Sequence, residues 1–155
     1  MRALLWWCVV LILGVFLKCY FHVDPYLPAT ILFFQKEKYV SGVFYGALWV
    51  LILEGYTDLP FGSVLLYYMS LIFFYFFLKK FFKSESIFFI IFLSLIFFPI
   101  HYVSIITIAK LSDIYIDPRL LFSISFKNFI FFPILWWIYS FLYNKYFFEK
   151  EIYLV

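Results

Sequence analysis

Six stretches of apolar residues, separated by short polar connections, run along the chain. They cover about residues 3–21, 26–35, 39–53, 63–78, 87–109 and 122–143. Most of them approach the roughly 20 apolar residues that a helix needs to cross a bilayer. The pattern predicts an all-α integral membrane protein, with a single transmembrane domain over residues 1–155 that contains about six transmembrane helices.

The second stretch is the shortest, because only nine mostly apolar residues separate Pro25 from the polar run 35–38. It predicts a short, tilted or re-entrant segment that packs against its neighbours, since a mismatch with the bilayer thickness costs only fractions of a kcal/mol per Å. The sequence leaves open whether this segment crosses the bilayer. Lys18, His22 and Asp24 precede it and are expected, with Pro25 and Pro28, to close the first helix, with His22 at the water boundary.

The fifth stretch contains Pro99 near its middle, which predicts a bend because proline removes a backbone donor and clashes with the preceding turn. His101 follows two residues later. It is expected either to cap a carbonyl exposed at the bend or to handle protons inside the bilayer. Residues 110–118 predict a polar loop before the last helix.

The composition excludes a soluble domain of this size. Of the 155 residues, 67% are hydrophobic and 14% are charged, whereas an ordinary soluble domain is about half apolar and a quarter charged. The chain also carries no glycine-rich phosphate loop and no Cys/His group at metal-binding spacing. We therefore expect membrane lipid as a partner, and no enzyme activity, metal, cofactor or nucleic acid.

Lysine and arginine are distributed unevenly between the two sides of the predicted bundle. With the N-terminus inside, eight of them lie on the cytoplasmic side and four on the other. Because cytoplasmic flanks accumulate these residues, we expect both termini in the cytoplasm, and we expect Lys79, Lys80 and Lys83 to contact anionic lipid. The eight are Arg2, Lys36, Lys38, Lys79, Lys80, Lys83, Lys145 and Lys150, and the four are Lys18, Lys110, Arg119 and Lys127.

Two features of the third helix and its end stand out. Gly42 and Gly46 lie on one helix face, where missing side chains let another helix approach closely. Glu54 and Asp58 follow in a break that is rich in turn-forming residues and has no basic residue. These carboxylates predict either an acidic turn that faces water or a functional element, since a carboxylate near a membrane needs solvent or a partner.

The stretch from Gly42 to Gly62 resembles the central signature of the rod shape-determining protein family MreD. That signature has glycines spaced through an apolar helix, then an acidic residue, then a turn that closes with a glycine opening the next helix. Glu54 stands where the family usually has Asp. The matching positions in this chain are Gly42, Gly46, Glu54, Gly55, Asp58, Pro60 and Gly62.

Two further stretches are similar to the same family. The approach to the second helix, Asp24-Pro25-Tyr26-Leu27-Pro28, resembles the family's Pro-Asp, although no Asp follows either proline. Near the end of the chain, Asn128 and Pro133 stand at a spacing similar to that in the family's last helix.

The resemblance implies a non-catalytic membrane scaffold of the bacterial cell-elongation machinery, in the inner membrane. Such proteins bind the membrane-anchored scaffold MreC. With it they couple the actin-like MreB filament to the glycosyltransferase RodA and a penicillin-binding transpeptidase. Gly42, Gly46, Glu54, Gly62, Asn128 and Pro133 would then be the sensitive positions.

Two other functions compete with this one. The substrate-binding S component of an energy-coupling-factor vitamin transporter resembles the chain in size and in its six-helix bundle. Such a subunit needs small residues at four-residue spacing on its first helix, whereas residues 3–14 are mostly bulky. A membrane hydrolase would need paired carboxylates or an activated nucleophile, and only Glu54 and Asp58 are candidates.

Overall fold

The computed structural model describes residues 2–147, and the side chains of Trp6 and of residues 8–145. This part of the chain forms six helices and no strand. The tail residues Glu149, Lys150 and Glu151, which enter the expected charge balance, lie outside it. The helices are α1 (Arg2–Phe21), α2 (Tyr26–Gln35), α3 (Tyr39–Glu54), α4 (Ser63–Lys79), α5 (Ile87–Leu111) and α6 (Pro118–Phe147).

The prediction for the last helix placed its start four residues too late. α6 begins at Pro118 instead of residue 122, so the predicted loop over residues 110–118 is shorter. Asp117 accepts a hydrogen bond from the Arg119 backbone N–H through Oδ1 at 2.9 Å. Proline in the first helical turn loses no intrahelical hydrogen bond. The pair Asp117-Pro118 is therefore the helix start, and Pro133 lies inside the same helix.

The short helix α2 is the centre of the bundle. It contacts α1, α3, α4 and α6, and all of its residues are buried. The other helices contact one another in the order α3, α4, α5, α6, α1. With a rise of about 1.5 Å per residue, α2 is about 15 Å long, roughly half of the hydrocarbon thickness of a bilayer. It is a helix that the rest of the protein buries on all sides.

Polar contacts fix the C-terminal end of α2. At its C-terminal end, the Trp136 Nε1–H donates to Gln35 Oε1 at 2.6 Å, and the Gln35 amide donates to the Ser84 carbonyl. The helix ends at Gln35, and two residues later Glu37 has a positive φ of 59°. The Lys38 N–H bonds back to the Phe33 carbonyl at 3.0 Å, the closure expected where a left-handed residue ends a helix.

The two ends of the bundle differ in charge. One end, called the basic end below, contains residues 36–39, 79–85 and 145. There Lys36 pairs with Glu85 at 3.3 Å, and Lys79 Nζ lies 2.9 Å from the Tyr39 hydroxyl. The opposite end contains the connections 22–25, 55–62 and 112–117. Successive helices therefore alternate in direction.

Among the described residues, two helices are long and apolar enough to cross a bilayer, Ile87–Leu111 and the part of α6 over Pro118–Lys145. In the most apolar 18 residues of these two helices, only 39% and 33% of the residues, respectively, are buried. A core helix of a soluble protein would be mostly buried, and a signal sequence would lie near the N-terminus. Both helices instead lie in the second half of the chain and expose apolar side chains such as Phe88, Leu95 and Trp137.

Candidate functional site

Asp24 is the most buried carboxylate among the described residues, although the sequence suggested only that it closes the first helix on the outer side of the bundle. It is 3% exposed, and its neighbours Val23 and Pro25 are buried as well. Its Oδ1 accepts hydrogen bonds from the backbone N–H groups of Tyr26 at 3.1 Å and Leu27 at 3.3 Å. The carboxylate thus binds the N-terminal turn of α2, where orphan donors and the helix dipole favour a negative charge.

Two tyrosines of α4 complete the shell of this carboxylate. The Tyr67 hydroxyl donates to Oδ2 and the Tyr68 hydroxyl to Oδ1, both at 3.0 Å. Burial raises the pKa of Asp24, and the charge of Lys18 on α1 partly opposes this rise. A buried polar side chain costs free energy unless it is hydrogen-bonded, as the Asp24 carboxyl group is here. Asp24 therefore ties α2 and α4 to one point.

The last helix joins the same cluster. Asn128 Oδ1 accepts a hydrogen bond of 2.7 Å from the Asp24 backbone N–H. One turn earlier on α6, Ser125 Oγ lies 2.8 Å from His101 Nδ1. The His101 ring in turn packs edge-on against Tyr67, with 5.1 Å between the ring centroids. The polar cluster, defined as Asp24, Tyr67, Tyr68, His101, Ser125 and Asn128, therefore joins the 22–25 connection to α4, α5 and α6.

His101 belongs to this cluster. The expectation that it caps a carbonyl at the Pro99 bend is not met by its Nδ1, which faces the hydroxyl of another helix. The helix itself runs unbroken through Pro99 from Ile87 to Leu111. The role of His101 in the described structure is to link α5 to α6.

Glu54 makes a second buried junction at the same end of the bundle. It ends α3, is 7% exposed, and its Oε1 accepts three backbone hydrogen bonds from the first turn of α4. Its Oε2 has no hydrogen-bond partner within the described part of the chain. The expectation of an acidic turn facing water is wrong for Glu54. The three donors are the N–H groups of Gly62 at 3.0 Å, Val64 at 2.8 Å and Leu65 at 3.1 Å.

The turn between the two helices has one position that requires glycine. Gly62 has a φ of 101°, a left-handed conformation that other residues rarely adopt, whereas Gly55 has a helical φ of −68°. Pro60 is exposed, and its carbonyl accepts the Ser63 hydroxyl hydrogen bond. Asp58 is exposed whereas Glu54 is buried, so these two carboxylates do not form a buried pair.

The glycines of α3 lie against the central helix. A Cβ atom added to Gly42 would lie 2.8 Å from Phe34 Cε1, and one added to Gly46 would lie 3.1 Å from Thr30 Cγ2. Gly14 of α1 makes a still closer approach to the Tyr26 ring. The backbones of α1 and α3 can therefore contact α2 only because these positions lack side chains.

Replacing Gly42 or Gly46 by leucine should lower the free energy of unfolding by about 1–3 kcal/mol, the usual cost of overpacking. The gain in helix propensity, about 1 kcal/mol for removing a glycine, is too small to offset the displacement of α3 from α2. The measurement is denaturant unfolding in detergent micelles. Ala47→Leu, at an exposed position beside Gly46, is the matched control and should change stability by less than about 0.5 kcal/mol. Equal effects at Ala47 and Gly46 would contradict the packing.

These sites hold helices together, and Asp24 can also hold a proton because burial raises the pKa of its carboxyl group. No group of three His, Cys, Asp or Glu residues within the described ranges could hold a metal ion. No protein-family model, curated protein or solved structure matches the chain.

Proposed function

We propose that the chain is a non-catalytic membrane scaffold of the bacterial cell-elongation machinery, similar to MreD. One observation carries the proposal: the three separate stretches on which the resemblance rests lie together. Asp24, at the approach to α2, bonds to Asn128 of α6 and to the tyrosines of α4. The first turn of α4 is in turn capped by Glu54 of the Gly42–Gly62 stretch. Asp24, Asn128 and Glu54, which are far apart in sequence, thus all hold helices of the bundle together.

Placement in the bacterial inner membrane, with several helices crossing it, is part of this proposal. It is supported by the exposed apolar surfaces of α5 and α6 and by outward-facing apolar residues on the shorter helices, including Ile12, Val43 and Phe73. In water these surfaces would be a large aggregation-prone patch. In a membrane, lipid chains would cover these apolar surfaces.

The proposed orientation puts both termini and the basic end in the cytoplasm. Segments 36–38 and 79–85 meet at that end through the pairs Lys36–Glu85 and Lys79–Glu37. Together they hold five lysines against two glutamates. The rule that positive residues remain inside then sets the direction of the bundle.

The partner surfaces in this proposal are helix faces and loops rather than a catalytic pocket. By the family resemblance, the partners are an MreC-type scaffold and, through it, the MreB filament, RodA and a penicillin-binding transpeptidase. A transporter subunit would instead need small residues on the outer face of α1, where Val9, Ile12 and Phe16 are exposed. Their bulk favours the scaffold.

Affinity capture of the full-length protein from solubilised host membranes tests the partner assignment. We expect an MreC-type protein to be enriched in near-equal amount, and the enrichment to be lost when Asn128→Leu opens the polar cluster. Trp137→Leu, at an exposed position of α6, is a control for a local change on the same helix. Enrichment of a transporter ATPase pair instead of an MreC-type protein would overturn the proposal.

A further inference from the structure

An apolar groove lies between α3 and α4, with α2 as its floor. Its volume is about 400 Å³, and apolar atoms alone line its accessible surface. Val43 and Met69 on its walls are 62% and 61% exposed, so the groove is open to the surroundings of the bundle. Its walls and floor include Gly46, Ala47, Leu65, Ile72, Thr30 and Phe34.

The length of the groove matches one leaflet of a bilayer. On α3 its lining runs from Tyr39 to Val50, which is about 16 Å at 1.5 Å per residue. One leaflet contributes roughly half of the 30 Å hydrocarbon thickness. The groove thus runs from the basic end to about the middle of the bundle. An aliphatic chain in that leaflet would lie along it.

The basic end of the groove carries a matching charge. Phe76 lines the groove one turn before Lys79, whose Nζ lies 2.9 Å from the Tyr39 hydroxyl and 4.0 Å from Glu37 Oε1. Lys80 follows and is exposed. The five lysines of segments 36–38 and 79–85 exceed the two glutamates, so an anionic group is favoured at the mouth of the groove.

The size of the groove argues against a partner helix. A helix about 10 Å across occupies on the order of 1,000 Å³ over three turns, whereas the groove offers about 400 Å³. This volume lies in the range of small-ligand sites, about 300–1,000 Å³. A single flexible chain of methylene groups fits the space better.

We propose that this groove binds one acyl chain of an anionic phospholipid, with the phosphate held by the amino groups of Lys79 and Lys80 at its mouth. The site rests on the membrane placement within the proposed function but not on the role in cell elongation. The lipid would fill the gap between α3 and α4. The bound lipid would thereby give α3 and α4 one continuous outer surface.

Native mass spectrometry of the purified full-length protein, titrated with phosphatidylglycerol or with phosphatidylcholine of the same acyl chains, tests this site. We expect one phosphatidylglycerol to bind per chain, with at least tenfold preference over phosphatidylcholine. Lys79→Gln and Lys80→Gln should each lower phosphatidylglycerol affinity about fivefold. Lys110→Gln, at the opposite end, should leave the affinity unchanged.

Substitutions that fill the groove with a larger side chain test whether it binds the acyl chain of the lipid. Ala47→Trp should reduce binding of phosphatidylglycerol at least tenfold, and Met69→Trp on the other wall should do the same if the first variant misfolds. Leu48→Trp, exposed on α3 but outside the groove, is the control. Unchanged binding in both groove variants, or equal retention of the two lipids, would overturn the proposal. So would capture of a polypeptide by a photo-crosslinker at Val43 in host membranes.

Discussion

Replacing Asp24 by alanine should lower the free energy of unfolding by about 3–5 kcal/mol, because several buried donors lose their acceptor at a cost of about 1–3 kcal/mol each. The variant leaves the Tyr67 and Tyr68 hydroxyls without their acceptor. It also removes the cap of α2, which accepts hydrogen bonds from Tyr26 and Leu27. Denaturant unfolding in detergent micelles, followed by tryptophan fluorescence, measures the loss.

The matched control is Asp24→Asn, which keeps an acceptor oxygen for the Tyr26 and Leu27 donors. It should cost at most about 1.5 kcal/mol, because a neutral amide still caps the helix. Tyr67→Phe removes one hydrogen bond and should cost about 1 kcal/mol. If Asp24→Ala is no more destabilising than Asp24→Asn, the carboxylate does not hold α2 and α4 together.

Replacing Glu54 by alanine should destabilise the protein by about 2–4 kcal/mol, since buried donors then lose their acceptor. Three N–H groups in the first turn of α4 bond to Glu54 Oε1 alone. We expect local opening of the 55–62 turn before global unfolding. Hydrogen exchange at Val64 and Leu65 should therefore rise more than exchange in the middle of α5.

Glu54→Gln keeps the accepting oxygen and loses only the charge at the helix N-terminus, worth about 0.3–1 kcal/mol. Asp58→Ala removes the exposed carboxylate of the same turn and should change stability by less than about 0.5 kcal/mol. Equal losses for Glu54→Ala and Asp58→Ala would contradict the capping role.

The helix bounds were largely predictable because they depend on local signals. Apolar runs interrupted by turn residues placed α1 to α5 within two residues of their observed ends. The start of α6 was missed because Arg119, Ser123 and Lys127 give its first turns a polar composition. Asp117 followed by Pro118 was the signal that could have placed it.

The central position of α2 could not be predicted in the same way. Hydropathy measures how apolar a segment is, and it does not separate a helix facing lipid from one facing other helices. The short length between Pro25 and Gln35 was the only local indication. The four helices that surround α2 come from all parts of the chain, so its burial depends on tertiary contacts.

The polar cluster was missed for a related reason. Asp24 resembles the polar residues that end many membrane helices, and its partners Tyr67, Tyr68 and Asn128 lie 43, 44 and 104 positions away. Glu54 was singled out by its place in the family-like stretch, but its partners across the turn were not foreseen. Neither set of contacts follows from helix periodicity.

Depletion of the protein in its host, with imaging of cell shape and of new wall insertion, tests the elongation role most directly. We predict that rod-shaped cells become round and swollen and lose wall insertion along the sidewall. Expression of the wild-type chain should restore the rods. Unchanged cell shape with loss of uptake of one vitamin would contradict the account and favour the transporter subunit.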